Sequence, residues 1–282
     1  TIRVNVYLVA IIAIGITLIV LYSFFIEPCQ TRLKIVEIKN KAFASTFKDL
    51  KIVLLSDLHI GVNLSASAKR SLKIIHEIKP DLILLTGDFL EWKRTKQCYD
   101  NAIKYLSQLN ASIGVYAVRG DADCFVSKIS CELCRKEGSI FPPGNHQVKF
   151  LRNSQVFLEN RGKKFAIMGI TMGSKHFSGF SIANSMDNCI PYIILSHTSL
   201  VYHDIGTNNN VLILSGDTHG GQIYLPQLFW EIIKIKPDPE HMYGLYQDMN
   251  KVLYVTSGIG TSPNFPFRLG VPPEVVLFKF EE

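Results

Sequence analysis

The chain has 282 residues, which is enough for one large hydrophobic core or two small ones. Apolar residues make up 47% of it and charged residues 19%, and a mean hydropathy of +0.17 indicates contact with a membrane. Six cysteines are too few for a disulfide scaffold of this length, and the 30 Lys and Arg residues include no dense run typical of nucleic-acid binding. The net charge of +6 therefore predicts a surface that faces anionic lipid or an anionic substrate, with no nucleic-acid partner.

An uncharged stretch near the N-terminus, Val6–Ile26, is long enough for one membrane-spanning helix. Glu27 and Pro28 follow it without a small-residue cleavage site, so we expect a retained transmembrane anchor over residues 1–28. Lys and Arg are more frequent after the stretch than before it. This bias predicts a single-pass protein of the inner (cytoplasmic) membrane whose remaining domain, residues 29–282, faces the cytoplasm.

The first part of this domain shows both strand and helix patterns. Weak alternation predicts an edge strand within Leu33–Phe47. Apolar residues at helical spacing predict two helices, Ser65–Ile78 and Lys96–Leu109, the first with Ser65 or Ser67 as its N-cap. Because apolar strands precede, separate and follow these helices, we expect parallel strands with helices on their outer face.

Five short apolar stretches each end in an Asp or a His, often behind a glycine that permits a tight turn. An open sheet builds a single site at its carboxyl edge in this way. Asp57 and His59 also point the same way on an extended backbone, and a carboxylate beside an imidazole can hold a divalent ion. The stretches and the residues that follow them are Ile52–Leu55 with Asp57 and His59, Leu82–Leu85 with Asp88, Val115–Val118 with Asp121 and Asp123, Tyr192–Leu195 with His197, and Val211–Leu214 with Asp217 and His219.

The second part of the chain interrupts this pattern twice. Residues 124–147, rich in Cys, Pro and Gly, predict an insertion or lid near the site. Residues 223–237 form an apolar segment, either a buried element or an exposed wall that touches lipid. Further strands are expected at Val148–Leu151, Gln155–Leu158 and Phe165–Ile170, as a meander in a second sheet, and at Val252–Thr256 and Val275–Phe280.

The order and spacing of these polar blocks resemble the calcineurin-like metallophosphoesterases, whose pattern is D-x-H, G-D, G-N-H-D/E, H and G-H-x-H. The resemblance covers nearly all of the chain after residue 28, and the closing Leu269–Glu274 is similar to a membrane-anchored bacterial branch. It implies an α/β (α+β) fold, a four-layer αββα sandwich behind the N-terminal transmembrane helix. The matching blocks are Asp57-x-His59, Gly87-Asp88, Gly120-Asp121-Ala122-Asp123, His197 and Gly216-Asp217-Thr218-His219.

The resemblance implies a centre of two divalent ions. One ion would be held by Asp57, His59 and His219, the other by Asp121, His197 and Asp217, with Asp88 as the bridging and catalytic carboxylate. Asp123 is the alternative ligand to Asp121. Two positions depart from the family pattern, because Asp121 replaces an Asn and Asp217 replaces a His. The added carboxylates favour Mn²⁺, with Mg²⁺ as the alternative, over zinc.

A third departure concerns proton transfer. The histidine that protonates the leaving oxygen in this family is Ala122 here, which leaves Asp123 or His203 as proton sources. A phosphate leaves without a proton more readily than an alkoxide, since its second pKa is about 6. Ala122 therefore favours cleavage of a phosphoanhydride.

The candidate substrate contacts are Arg119 and Arg268 for the phosphates, and Phe229 and Trp230 for acyl chains. The resemblance to the membrane-anchored branch implies a lipid or nucleotide-lipid substrate, most specifically hydrolysis of UDP-2,3-diacylglucosamine to UMP and 2,3-diacylglucosamine 1-phosphate in lipid A synthesis. The alternatives are a broader membrane phosphodiesterase or phosphatase and a non-catalytic metal-binding scaffold. The sequence leaves the oligomeric state open.

Overall fold

The computed structural model describes residues 6–92, 95–124, 146–170, 186–206, 209–224, 241–262 and 265–282. Its helices are α1 Val6–Leu21, α2 Lys41–Phe47, α3 Ala66–Ile78, α4 Lys96–Leu106, α5 Asp121–Cys124 and α6 Val201–Asp204. Its strands are β1 Arg32–Lys39, β2 Ile52–Leu55, β3 Leu82–Leu85, β4 Gly114–Ala117, β5 Val148–Phe150, β6 Ser154–Asn160, β7 Lys163–Ile170, β8 Tyr192–Ser196, β9 Val211–Ser215, β10 Gly244–Asp248, β11 Lys251–Val255 and β12 Glu274–Glu281.

The strands form two mixed, six-stranded sheets. The first has the order β1-β12-β2-β3-β4-β5 and the second the order β10-β11-β9-β8-β7-β6. β2, β3 and β4 are mutually parallel, as are β7, β8, β9 and β11. The parallel run in the first sheet was predicted from its alternation with α3 and α4, and the carboxyl ends of its strands meet at one edge.

Alternating side chains of β2 show how the layers are built. Val53 and Leu55 pack against the cluster that contains α3 and α4, whereas Ile52 and Leu54 pack between the two sheets. Since successive side chains of a strand point to opposite faces, one fully apolar strand fills two hydrophobic layers. A third cluster lies outside the second sheet and includes Val201 of α6. The predicted α/β sandwich is therefore confirmed.

Helix α3 begins and ends where local chemistry dictates. The Ser65 side chain accepts a hydrogen bond from the Ala68 amide at 3.1 Å, so Ser65 and not Ser67 is the N-cap. Lys79 adopts a left-handed conformation that ends the helix, and Pro80 follows it. The predicted helix is confirmed to within one residue.

Two strand predictions need correction. Leu33–Phe47 is an edge strand only as far as Lys39, and α2 follows it. The Asn40 side chain caps α2 by accepting from the Phe43 amide, and Phe43 and Phe47 lie on one helical face buried between the sheets. The predicted meander at 148–170 is also split, because β5 pairs in parallel with β4 in the first sheet.

The N-terminal helix continues from α1 through a π-helical turn, Tyr22–Ile26, and a 3-10 turn, Glu27–Cys29. Together, Val6–Cys29 is one helical stretch long and apolar enough to cross a membrane, and α1 buries none of its residues in the protein. The predicted apolar helix is confirmed, while its orientation and the division into residues 1–28 and 29–282 stay predictions. Most of the insertion at 124–147 and of the apolar segment at 223–237 lies outside the described residues.

The correction at α2 leads to a stability prediction. The Phe47 ring is fully buried and lies 5.1 Å from the Phe165 ring and 5.2 Å from the Phe280 ring. Phe47→Ala should lower the free energy of unfolding by about 3–5 kcal/mol, because it removes contacts with both sheets and leaves a cavity. Urea denaturation measures the change. The control is Phe157→Ala on β6, whose ring is 59% exposed and whose loss should cost far less.

Candidate metal centre

The carboxyl ends of both sheets meet at one group of Asp and His side chains. Strands β2, β3 and β4 of the first sheet and β8 and β9 of the second each deliver at least one of them. The structure therefore brings together side chains separated by up to 162 positions in the chain. They are Asp57 and His59 after β2, Asp88 after β3, Asp121 after β4, His197 after β8, and Asp217 and His219 after β9.

One half of the centre consists of Asp57, His59 and His219, which offer ligand atoms within 4.8 Å of one another. Nε2 of His59 lies 3.1 Å from Nε2 of His219, and the latter lies 4.0 Å from Oδ1 of Asp57. The two imidazole rings are stacked, with an interplanar angle of 20°. Two nitrogens converging in this way suit adjacent positions around one cation.

The other half contains Asp57, Asp88 and His197, again within 4.8 Å. Nε2 of His197 lies 3.4 Å from Asp88 Oδ1, 3.6 Å from Asp121 Oδ1 and 3.8 Å from Asp217 Oδ1. The second oxygen of Asp88 lies 3.6 Å from His59 Nε2. Asp88 thus lies between the two halves, where a bridging carboxylate would be.

The hydrogen bonds of His197 and Asp57 leave atoms of both side chains available to bind a metal ion. His197 Nδ1 lies 2.8 Å from the Thr86 carbonyl oxygen and donates its proton there, so Nε2 is the nitrogen that a cation would bind after displacing its proton. Nε2 of His197 and Oδ2 of Asp57 are both buried, and neither has a hydrogen-bond partner among the described residues. Buried polar atoms of this kind are costly unless another group, such as a cation, satisfies them.

The backbone at the centre is strained. Asp57, His59, Asp88, Asp217 and His219 all have φ between 41° and 72°. Left-handed backbone costs about 1 kcal/mol or more at a non-glycine residue, and Asp and His tolerate it better than branched residues. These turns lift the side chains out of the strand direction and aim them at a common point.

Burial and neighbouring charges shift the pKa values of the carboxylates and imidazoles at the centre. Burial raises the pKa of Asp57 to about 6 and that of Asp88 well above its usual range. Burial alone would lower the pKa of His197, but interaction with Asp121 and the charges of Asp88 and the other aspartates raise it well above normal. Burial lowers the pKa of His59 to about 4. The centre therefore attracts positive charge while His59 stays neutral.

Asp123 has a different position from the ligand candidates. It is buried and accepts hydrogen bonds from the amides of Asp88, Phe89 and Gly120 at 2.9–3.0 Å. Asp121, by contrast, faces His197. These contacts favour Asp121 as the ligand candidate, and the catalytic role of Asp123 stays a prediction, with both of its oxygens holding the Asp88 and Gly120 loops.

Arg268 is buried beside His219. Its guanidinium donates to the carbonyls of Ser257, Gly260 and Val271, which gives it a supporting role, and its direct contact with substrate stays a prediction. Nη2 lies 3.4 Å from Nδ1 of His219. Burial lowers the pKa of His219 well below normal, and the positive charge of Arg268 adds to this effect, so His219 stays neutral and able to ligate.

The other predicted contacts fall outside the centre or the described chain. Arg119 is partly buried and does not line the cavity described below, and within the described part of the chain its Nε has no hydrogen-bond partner. His203 lies against Tyr202 and His241, with ring centroids 5.9 and 5.5 Å away, and is also away from that cavity. Phe229 and Trp230 lie outside the described residues.

The metal ligand candidates open into a cavity of roughly 430 Å³. Sequence reasoning missed part of its wall, because Trp92, Gln222, Phe265 and Phe267 lie in irregular segments without a ligand motif. Gln222 is held by Phe265, whose carbonyl accepts from its Nε2 at 2.7 Å. The sequence signal for these four residues was proximity to the Asp88, His219 and Arg268 blocks.

Comparisons with known proteins agree with this geometry. A profile of the calcineurin-like phosphoesterases matches residues 50–211. The chain belongs to this family. It is a hydrolase of phosphoester or phosphoanhydride bonds, and the family's use of divalent metals accords with the two ligand groups.

Three relatives illustrate the breadth of the similarity. The uncharacterized metallophosphoesterase YkuE of Bacillus subtilis is 26% identical over 91% of this chain and 88% of its own. The UDP-2,3-diacylglucosamine pyrophosphatase LpxG of Chlamydia trachomatis is 27% identical over 82% of this chain and 83% of its own. A transmembrane protein with a metallophosphoesterase domain from Danio rerio is 25% identical over 85% of this chain and 55% of its own.

Close packing at Gly216 provides a test of the centre. A Cβ at this position would overlap Ser56 Oγ and Asp57 Oδ2, so Gly216→Ala should displace the Asp57 carboxylate and lower metal affinity at least tenfold. Titration calorimetry with Mn²⁺ measures this. Gly206→Ala is the matched control, because a Cβ there meets nothing within 4 Å. Equal metal affinity in the two variants would contradict the proposed role of Asp57.

The raised pKa of Asp57 leads to a pH prediction. A carboxyl group with a pKa of about 6 stays protonated below that pH, so a metal ion must displace its proton, whereas His59, with a pKa of about 4, remains neutral. The pKa values of Asp88 and His197 are also raised well above normal, so their protons must be displaced too. Mn²⁺ affinity should therefore fall steadily as the pH is lowered from about 7.5 to about 5, by up to about tenfold per pH unit for each competing proton. Titrations between about pH 5 and pH 7.5 measure the slope, and a flat profile would contradict the prediction.

Proposed function

We propose that this chain hydrolyses a phosphoanhydride in a membrane lipid, most specifically UDP-2,3-diacylglucosamine, to give UMP and 2,3-diacylglucosamine 1-phosphate. The observation that carries the choice of an anhydride is Ala122. It occupies the position of the family's histidine, is fully buried, and contributes only its amide, which donates to Asp88 Oδ1 at 2.9 Å. The similarity to LpxG supports the choice of lipid.

The chemistry of the leaving group explains why Ala122 matters. An alkoxide needs a proton as it departs, whereas a phosphate with a second pKa near 6 can leave as an anion. Among the described residues that line the cavity, the titratable groups are candidate metal ligands, namely His59, Asp88, Asp121, Asp217 and His219. A substrate that supplies its own stable leaving group therefore suits this site.

The side chains have distinct tasks in this proposal. His59 and His219 offer neutral nitrogens, Asp57 contributes to both ligand groups, and Asp88 lies between the two halves. Two divalent ions, when bound, clamp phosphoryl oxygens and acidify a water nucleophile. We propose Mn²⁺, with Mg²⁺ as the alternative, because four carboxylates make the ligand set rich in oxygen.

The same proposal places the enzyme at a membrane. The apolar stretch Val6–Cys29 has the length of a single span, and a relative carries a transmembrane region beside the same domain. Basic residues after the span favour a cytoplasmic catalytic domain at the inner membrane. The lipid substrate would then be presented by the membrane that holds the enzyme.

Hydrolysis of UDP-2,3-diacylglucosamine by the full chain in detergent tests the proposal. We expect UMP release that requires Mn²⁺ or Mg²⁺, is abolished by EDTA, and falls at least 100-fold in Asp88→Asn, because that change removes the charge between the two ligand groups. Mass spectrometry identifies both products. Asp248→Asn, at an exposed carboxylate on β10, is the matched control and should retain full activity.

Other outcomes point to the alternatives. Comparable or faster hydrolysis of simple aryl phosphodiesters would contradict the specific substrate and favour a broader membrane phosphodiesterase. An absence of hydrolysis on every substrate, together with no effect of Asp88→Asn on cellular function, would favour a non-catalytic scaffold. Metal binding without release of UMP would redirect the assignment to another phosphorylated lipid.

A further inference from the structure

Four aromatic rings connect the end of the N-terminal helix to the cavity at the metal centre. The Phe24 ring lies 6.4 Å from that of Phe25 and 5.0 Å from that of Phe267, which lies 6.0 Å from Phe265. Phe265 and Phe267 line the cavity that also contains His59, Asp88 and Asp217. We call these four residues the aromatic strip.

Two hydrogen bonds join the helix end of the strip to the segment that carries Phe265 and Phe267. The Arg268 amide donates to the Ser23 carbonyl at 2.9 Å, and the Gly270 amide donates to Glu27 Oε2 at 3.0 Å. Ser23 and Glu27 are both buried, although Phe24, Phe25 and Ile26 between them are exposed. The turn at the end of the apolar stretch is therefore fixed on the segment that forms the cavity wall.

The strip is exposed where a water-soluble enzyme would bury such rings. Phe25 is 71% exposed, Phe265 56% and Phe24 40%. Aromatic rings are favoured at the interface between lipid and water, and an exposed apolar surface of this kind indicates a binding partner. If Val6–Cys29 spans a bilayer, its last turn lies at that interface, and the strip leads from there to the metal ligands.

We propose that the aromatic strip is an acyl-chain subsite, which holds a hydrocarbon tail of the substrate while its phosphates lie at the metal centre. The inference rests on the proposed function in that it takes the substrate to be a membrane lipid. It adds that the cavity is entered from the bilayer side, along Phe24, Phe267 and Phe265. The polar end of the cavity fits the anionic headgroup, and the aromatic end fits an alkyl chain.

A comparison of two substrates with the same headgroup tests the subsite. The wild type and the double variant Phe265→Ala/Phe267→Ala are assayed on UDP-2,3-diacylglucosamine in detergent and on UDP-N-acetylglucosamine, which lacks the long chains. We expect the double variant to raise KM for the lipid about tenfold or more, with little change in kcat or in the reaction of the short substrate, because only the tail loses contacts.

A control variant and two possible results decide whether the rings form an acyl-chain subsite. Phe157→Ala removes an equally exposed ring on the far strand of the second sheet and should leave KM for the lipid unchanged. Equal losses on both substrates would show that the rings only support the cavity, and would overturn the subsite. An unchanged KM for the lipid in the double variant would overturn it as well.

A binding measurement separates this inference from the choice of substrate. Phosphatidic acid, a long-chain lipid phosphate, is titrated in detergent into the Mn²⁺-loaded full chain and into the double variant of equal thermal stability. Weaker binding by about tenfold in the variant would support the subsite even if the nucleotide lipid is not hydrolysed. Equal binding by the two proteins would overturn the subsite while leaving the proposed hydrolysis intact.

Discussion

The convergence of four carboxylates on one imidazole is the constraint on which the centre depends. Asp57, Asp88, Asp121 and Asp217 approach His197, and burial raises the pKa of Asp57 and Asp88, the two most buried of them. Ionised carboxylates at such a distance need compensating positive charge in a site of low polarity. Divalent cations supply it, so the same arrangement that weakens the free protein gives the site its affinity for metal.

The surrounding fold keeps this unfavourable group in place. Five of the ligand candidates have left-handed backbone, each at a cost of about 1 kcal/mol or more, and they persist because the strands before them are fixed in three apolar clusters. Glycines allow the backbone to approach the ligand side chains closely, as Gly216 approaches the Asp57 carboxylate. Asp123 adds a polar support, because its carboxylate binds three amides of the neighbouring loops.

Sequence predicted the elements whose signal is local. Fully apolar strands such as β2 and β9 and the capped helix α3 follow directly from their residue patterns, and so do the ligands at the strand ends. The failures have non-local causes. Helix α2 is short and apolar, so burial between two sheets decided its conformation, and β5 was assigned to the wrong sheet because pairing depends on the crossover. The burial of Arg268 and the position of the aromatic residues that line the cavity depend on loop packing, for which the sequence carries no periodic signal.

Arg268 connects these features, because three parts of the molecule meet at this residue. Its guanidinium lies beside Nδ1 of His219, its amide binds Ser23 in the last turns of the N-terminal helix, and the preceding ring, Phe267, contacts Phe24. A buried arginine retains its charge, since burial lowers its pKa only to about 10. The same positive charge that favours neutral His219 is thus fixed against the apolar helix. The end of the N-terminal helix therefore contacts the residue that supports a metal ligand. A backbone hydrogen bond and a ring contact fix the helix end against this part of the protein, whereas a flexible tether would leave it free to move.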